Sequence, residues 1–356
     1  MSCSRCHTIW PQLTEEGRAF KEGGYEFRQR LEIDEDLTLE NAFPVSARLN
    51  LRLADKRTSK RKATGELTDK DKQLKLRALH EVEVFFAGRA GERWSYFAEV
   101  EAEDEWPDPN GDAPGFQMQL ATAAVQFKPN ELVTLSGGYA SPFYADNYNT
   151  VNYRKPARHA WAPAAKGFTP GESQFVSISG RPIEQLFLLA AYHGNAGQLE
   201  GKDAEDVSLR AAVDVIPELS VGGYMTFEKT FDGSRNISQG EKLRVGGDLQ
   251  VAYERLNVHG LFGILDDRAI DKTETAFGVE ANYLHPADRW AVGPVASVSG
   301  YTENDGDDTF VVGGFFLDFQ VLNNTRLQAG WEGDLSVPDA IAHKESRITF
   351  VADVAF

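Results

Sequence analysis

Hydrophobic and polar residues alternate with a period of two along much of this chain. Between residues 242 and 254, Leu243, Val245, Leu249, Val251 and Tyr253 share one parity, and Lys242, Arg244, Asp248, Gln250 and Glu254 share the other. Residues 207–215 repeat the arrangement, with Val207, Leu209, Ala211, Val213 and Val215 set against Ser208, Arg210 and Asp214. Leu49, Leu51 and Leu53 alternate with Arg48, Asn50 and Arg52, and Ile348, Phe350, Ala352, Val354 and Phe356 form one face at the end. This period places the two sets on opposite faces of a β-strand. The segments run about 9–14 residues, longer than the ~5–6 usual in soluble sheets and matched to a tilted bilayer crossing. The pattern predicts about sixteen strands, an even count as bacterial barrels require. They start near Ser46, Leu74, Glu92, Phe116, Glu131, Ser173, Gln185, Asp206, Glu218, Glu241, Leu256, Thr273, Asp288, Thr309, Asn324 and Glu345.

The connections also alternate. Those at 89–92, 128–131, 181–184, 215–218, 254–256, 285–289 and 321–324 are short. Between them fall longer ones at 55–73, 104–115, 140–172, 194–206, 229–240, 265–272, 302–308 and 333–344. Short periplasmic turns alternating with long external loops characterise an outer-membrane barrel. The expected fold is therefore an all-β, antiparallel outer-membrane barrel over 46–356, preceded by a polar segment, 1–45, that can plug the lumen. Both termini are expected on the periplasmic side. The long loop 140–172 carries Tyr144, Tyr148, Tyr153 and Trp161 and is expected to fold inward as a constriction. Two strands break phase. Gln117 and Gln119 disagree with Gln126, which calls for a bulge. His80 is in phase with Val82, Val84 and Phe86, so it faces lipid unless another bulge turns it inward.

Composition narrows the picture. No apolar run approaches the ~18–20 residues of a membrane helix. Gly (32), Phe (22) and Tyr (11) are frequent while Met (3) is scarce, which favours strands. A net charge of −17 excludes a nucleic-acid partner, which needs a basic footprint. The basic cluster Lys56, Arg57, Lys60, Arg61 and Lys62 reads as a solvated loop tip. The alternation turns Arg48, Arg52, Glu81, Glu83, Glu99, Glu101, Arg210, Asp214, Arg244 and Asp248 toward the lumen, where mixed charge is normal.

The chemistry lies at the start. Cys3-Ser4-Arg5-Cys6-His7 is a C-x-x-C-H motif and holds the only two cysteines. The spacing lets two thiols form thioethers to one haem c while the adjacent imidazole becomes the proximal iron ligand. Two other readings stay open. The pair can form a disulfide staple, or hold zinc with His7, although a closed zinc site needs a fourth ligand. The chain opens Met1-Ser2-Cys3 with no signal peptide. Since barrel and haem both require export, the start is expected to be truncated.

After the motif, Pro11 and Leu13, then Gly17, Arg18, Phe20 and Lys21, then Gly24 and Tyr25 follow in a P-x-L, G-R-x-F-K, G-Y order. With a porin-like barrel behind it, this segment resembles the fused monohaem cytochrome–porin family of iron-oxidising bacteria. The specific match covers only these N-terminal residues; the rest agrees in architecture and length. The resemblance implies an outer-membrane iron oxidase, with Fe(II) as electron donor and a periplasmic cytochrome or other carrier as acceptor. The distal haem ligand is not readable. His259, on the lumen phase with Asn257, His80 and Met118 are the candidates, with His193 and Met1 behind them; Met225 is expected to face lipid. The acids Asp203, Glu205, Asp206, Asp305, Asp307 and Asp308 are expected on loops, where they can collect cations. The competing functions are a passive porin and a haem-free barrel with a structural cysteine pair. Arg18 and Lys21 are expected to steady a plug against the charged lumen wall.

Overall fold

The computed structural model describes residues 21, 45–61, 67–89, 93–104, 116–146, 148, 167–194, 206–232, 237–268, 270–283, 285–287, 290–303, 308–322, 325–337 and 343–355. Its strands are β1 (Val45–Arg61), β2 (Leu67–Arg89), β3 (Trp94–Asp104), β4 (Phe116–Asn130), β5 (Val133–Ala140) and β6 (Ser173–Ile183). They continue with β7 (Leu186–His193), β8 (Asp206–Ile216), β9 (Leu219–Asp232), β10 (Ile237–Tyr253), β11 (Leu256–Asp267) and β12 (Lys272–Tyr283). The last are β13 (His285–Ala287), β14 (Trp290–Glu303), β15 (Asp308–Leu322), β16 (Thr325–Ser336) and β17 (His343–Ala355). Each strand pairs antiparallel with its sequence neighbours, and β1 pairs with β17, so the sheet closes on itself. The three-residue β13 continues the line of β12, both lying against β14. The barrel therefore has sixteen staves. Among the described residues no helix is long and apolar enough to cross a membrane.

Alternation becomes sidedness. In β8, Val207, Leu209 and Val213 are exposed while Ser208, Arg210 and Ala212 are buried. The exposed set, with Leu249, Phe262, Val279, Phe315 and Phe350 elsewhere, forms the apolar outer wall. The charged lumen residues expected from the sequence are found inside: Arg52, Glu81, Glu83, Glu99, Arg210, Arg244 and Asp248 are all buried. Closure leaves no unpaired edge, so the backbone polar groups of the strands are satisfied within the wall.

Both irregularities proved to be bulges. Between Glu99 and Val100 the register with β4 slips past Ala121, so Thr122 and Gln126 face in while Leu120 and Met118 face out. Between Asn50 and Arg52, β2 advances from Glu81 to Arg77, and this longer bulge turns His80 inward to 1% exposure.

The rim departs from the expected loops. β1 continues to Arg61 and β2 begins at Leu67, so most of the expected loop 55–73 is a strand hairpin. Lys56, Arg57, Lys60 and Arg61 thus sit on β1, with Lys56 paired to Glu345 of β17 at 2.7 Å; Lys62 lies outside the described residues. The cause is simple: above the lipid, ladder hydrogen bonds sustain a strand without apolar alternation, so hydrophobicity cannot mark its end. The ends of β1 and β17 nearest the chain termini, Val45 and Ala355, lie beside Phe86 and Arg48 at the rim of the short turns.

Candidate functional site in the lumen

The loop after β5 leaves the wall and folds into the lumen, as its aromatic content led us to expect. Phe143 and Tyr148 pack with Phe187, Leu189, Tyr224 and Leu261, all inward residues of β7, β9 and β11. Tyr144 packs in a separate cluster with Ala124, Phe175 and Phe97. Phe168, near the loop's return, meets Leu265, Ala276, Tyr301 and Phe310. The described parts of this loop thus tie down to many staves at once. Tyr153 and Trp161 lie outside the described residues.

Polar contacts fix the same loop. Arg210 holds Asp146 at 3.2 Å through Nε and takes Asp248 bidentate through Nη1 and Nη2 at 2.5 and 2.8 Å. Tyr148 donates to Asp214 at 2.9 Å while Arg181 donates to the Tyr148 oxygen at 3.0 Å. Burial, with the Asp214 carboxylate beside it, pushes the Tyr148 phenol up to about 12. The Tyr224 hydroxyl donates to the Phe168 carbonyl at 2.9 Å. Its ring occupies the space over Gly246, where a Cβ would stand 2.3 Å from ring carbon; glycine is needed there for close approach. Arg244 donates to the Gly167 carbonyl and pairs with Glu228.

One residue of the N-terminal segment is described, and it lies against this loop. The Lys21 ammonium donates to the Asp146 carbonyl at 3.4 Å and stands 5.4 Å from the centre of the Tyr144 ring. The contacts of Lys21 that are seen run to the constricting loop and not to the charged wall. Burial lowers its pKa below the ordinary lysine value, opposed by Asp146. The sign follows. A lysine whose folded pKa is depressed carries a penalty at low pH, which is relieved as pH rises from the folded pKa toward 10.5. Protease protection of residues 1–45 should therefore increase with pH through that window. Lys21→Met should flatten the dependence; an unchanged pH profile in the variant would assign the titration elsewhere.

The remaining candidates separate cleanly. Cys3, Cys6, His7, Arg18 and Met1 lie outside the described residues. Met118 is 77% exposed on the outer face, because the bulge puts it in phase with Leu120. This corrects its candidacy as a lumen ligand. Met225 faces outward as expected. His80 faces inward, but its Nδ1 meets Arg77 at 3.0 Å and its Nε2 meets Glu103 at 3.3 Å. His193 is similarly engaged, with Ser208 at 2.8 Å and the Gly194 carbonyl at 3.0 Å. His259 faces the lumen as expected, between Gln250 and Glu280 in register. Asp206 is not a loop acid: it begins β8, is 1% exposed and accepts from the Lys229 amide at 3.1 Å. Asp308 begins β15, while Asp203, Glu205, Asp305 and Asp307 lie outside the described residues. Sequence reasoning missed Phe143, Asp146 and Phe168. The signal for Asp146 was present: an acid inside an aromatic loop, facing a lumen already assigned Arg210.

A closed sixteen-stave barrel with a polar lumen and an inward-folded loop defines a porin-type β-barrel. No family model matches the chain, and no curated protein matches it in sequence. Solved structures do. OprB of Pseudomonas putida aligns with a TM-score of 0.60 at 11% identity, covering 88% of this chain and 94% of that one. An OmpT loop-deletion mutant, an outer-membrane protein of Vibrio cholerae, gives 0.58 at 12% identity, over 88% and 100%. An anion-selective porin from Comamonas acidovorans gives 0.56 at 12% identity, over 88% and 100%. Identities this low speak to the fold: this chain has the architecture of outer-membrane porins.

Proposed function

We propose that this protein sits in the bacterial outer membrane and moves electrons through one c-type haem carried by residues 1–45. Fe(II) is the proposed donor and a periplasmic cytochrome or other carrier the acceptor. The observation that carries this reading is the position of Lys21 against the loop inside the barrel. His7 precedes Lys21 by fourteen positions, which span about 21 Å as helix and at most ~50 Å extended. In this reading the C-x-x-C-H motif sits in the lumen or at its mouth, a distance that fourteen positions can span.

Phe143, Tyr144, Tyr148 and Phe168 pack against the inner wall and His259 turns inward; in this reading they form the apolar surroundings of the haem. In this reading Cys3 and Cys6 hold the haem and His7 ligates its iron. When bound, it supplies a one-electron couple. The protein's share is to fix the segment through Lys21, to exclude water with the aromatic cluster, and to keep the two sides of the membrane apart. No dedicated iron ligand is required for an outer-sphere transfer.

The second reading, a passive porin, is favoured by the likeness to porins over 88% of the chain. A c-type spectrum separates the two. The protein is made with an export signal and a c-type maturation system, inserted in outer membrane, then treated with dithionite and with Fe(II). We expect a reduced c-type α-band with both. A band with dithionite alone removes iron as donor. No band in a properly inserted barrel leaves the porin, with Cys3 and Cys6 as a staple.

A further inference from the structure

Arg52 is the anomaly of the lumen wall. It is 4% exposed, and its Nε and Nη2, both shielded from solvent, meet no hydrogen-bond acceptor among the described residues. Those two atoms form the planar edge that grips a carboxylate through two parallel hydrogen bonds. Its surroundings add charge of the same sign. Arg77 is its register partner on β2, and Arg347 is also within electrostatic reach. Two carboxylates are near as well, Glu103 and Glu332, but each already faces a different base. Glu103 meets His80 at 3.3 Å, and Glu332 meets Arg347 at 3.8 Å. A buried guanidinium with two arginines and two carboxylates about it, and no acceptor on its fork, is a costly arrangement.

The backbone is shaped at this point. The bulge between Asn50 and Arg52 brings Arg77 and His80 together onto the inner face. Bulges re-aim side chains beside binding sites. Nε and Nη2 are themselves closed to water, so a carboxylate reaches them only when the neighbouring side chains move; Glu103 and Arg347, which keep 33% and 19% of their surface open, are the ones placed to do so.

We propose that the Nε–Nη2 edge of Arg52, flanked by Arg77 and Arg347, is a binding site for a carboxylate group in the barrel lumen. Two sources share that chemistry: a small carboxylate solute entering the pore, or a propionate of the haem assigned above. Only the second source rests on the electron-transfer reading.

The test uses the full chain in lipid vesicles, first without haem, with sodium propionate as the probe against sodium chloride at equal ionic strength. Ligand binding to the folded state raises the urea midpoint by mass action. We expect propionate to raise it for the wild type, less for Arg52→Lys, and not at all for Arg52→Gln. In chloride alone Arg52→Gln should unfold at a higher urea concentration than wild type, since it removes an unpaired buried charge. If Arg52→Gln does not insert, Arg52→Lys decides, because it keeps charge but loses the fork. Absence of a propionate effect on wild type, or an effect equal in the variants, overturns the site. The haem-loaded chain then identifies the source. A propionate effect lost on loading assigns the site to the haem's own carboxylate, and one retained assigns it to free solutes. If no haem attaches, the haem-free arm still decides the site.

Discussion

Replacing Arg210 with Ala should destabilise the barrel by about 3–5 kcal/mol, the usual cost of removing one partner from a buried charge network. It should also detach the constricting loop. Arg210 pairs with both Asp146 and Asp248, and all three side chains are at most 3% exposed. Its removal strands two carboxylates in a place that water does not reach. The geometry adds a backbone cost, because Arg210 also donates to the Gly223 carbonyl at 3.3 Å. Urea unfolding in vesicles gives the energy, and cleavage of the loop by added protease reports its release. A triple variant, Arg210→Met with Asp146→Asn and Asp248→Asn, should recover part of the loss, because neutralising the partners removes the stranded charge. A loss under about 1 kcal/mol, the range of exposed ion pairs, would mean that lumen water solvates the three groups.

The second large effect tests where the lipid lies. Leu209 faces outward near the middle of β8. An arginine there should cost about 2–4 kcal/mol, as cations do at the bilayer midplane. Leu74 is more exposed, at 69%, but belongs to the part of β2 that runs on toward the long-loop rim. Arginine at Leu74 should cost only about 0–1 kcal/mol, the value near an interface. The same side-chain exchange on the same face should thus differ by depth alone. Equal costs at the two positions would place the apolar slab wrongly on this barrel.

Strand positions were largely legible in the sequence because two solvents enforce them. Lipid outside and water or charge inside leave each residue one allowed face, so parity alone located Arg210, Asp248 and Glu83. Legibility failed where one solvent was missing. At Lys56–Arg61 both faces are aqueous, so nothing in the pattern announces that the strand continues. It was incomplete where the backbone slips: parity left His80 either facing lipid or turned inward by a bulge, and the bulge at Asn50 and Arg52 turns it inward. Met118 was ambiguous until the second bulge was located. The inward fold of the loop could be expected from Tyr144 and Tyr148. Its anchor at Asp146 was missed although the signal was there, since an acid on a long loop is easily taken for a solvated one unless it is set against Arg210 across the lumen. For Cys3, Cys6 and His7, which lie outside the described residues, the spacing led us to expect a haem, but no alternation marks where they sit relative to the barrel.

The join between the first and last strands has a consequence in time. Arg48 on β1 reaches Asp353 on β17, across 305 positions of sequence, as well as Glu81 and Glu83 next door. Contacts at such separation form late, because the whole intervening chain must first be ordered. The cluster around Arg48 and Arg52 is therefore assembled last, when the two ends of the wall meet. Until that moment Arg48 lacks its β17 partner, and Arg52 lacks Arg347 and the cover of its burial. A chain shortened at its C-terminal strand would keep most of its hairpins, Arg48 with Glu81 and Glu83 included, and lose the half of this cluster that Asp353 and Arg347 supply. The same few side chains that shape the lumen at this point thus also certify that biogenesis is complete.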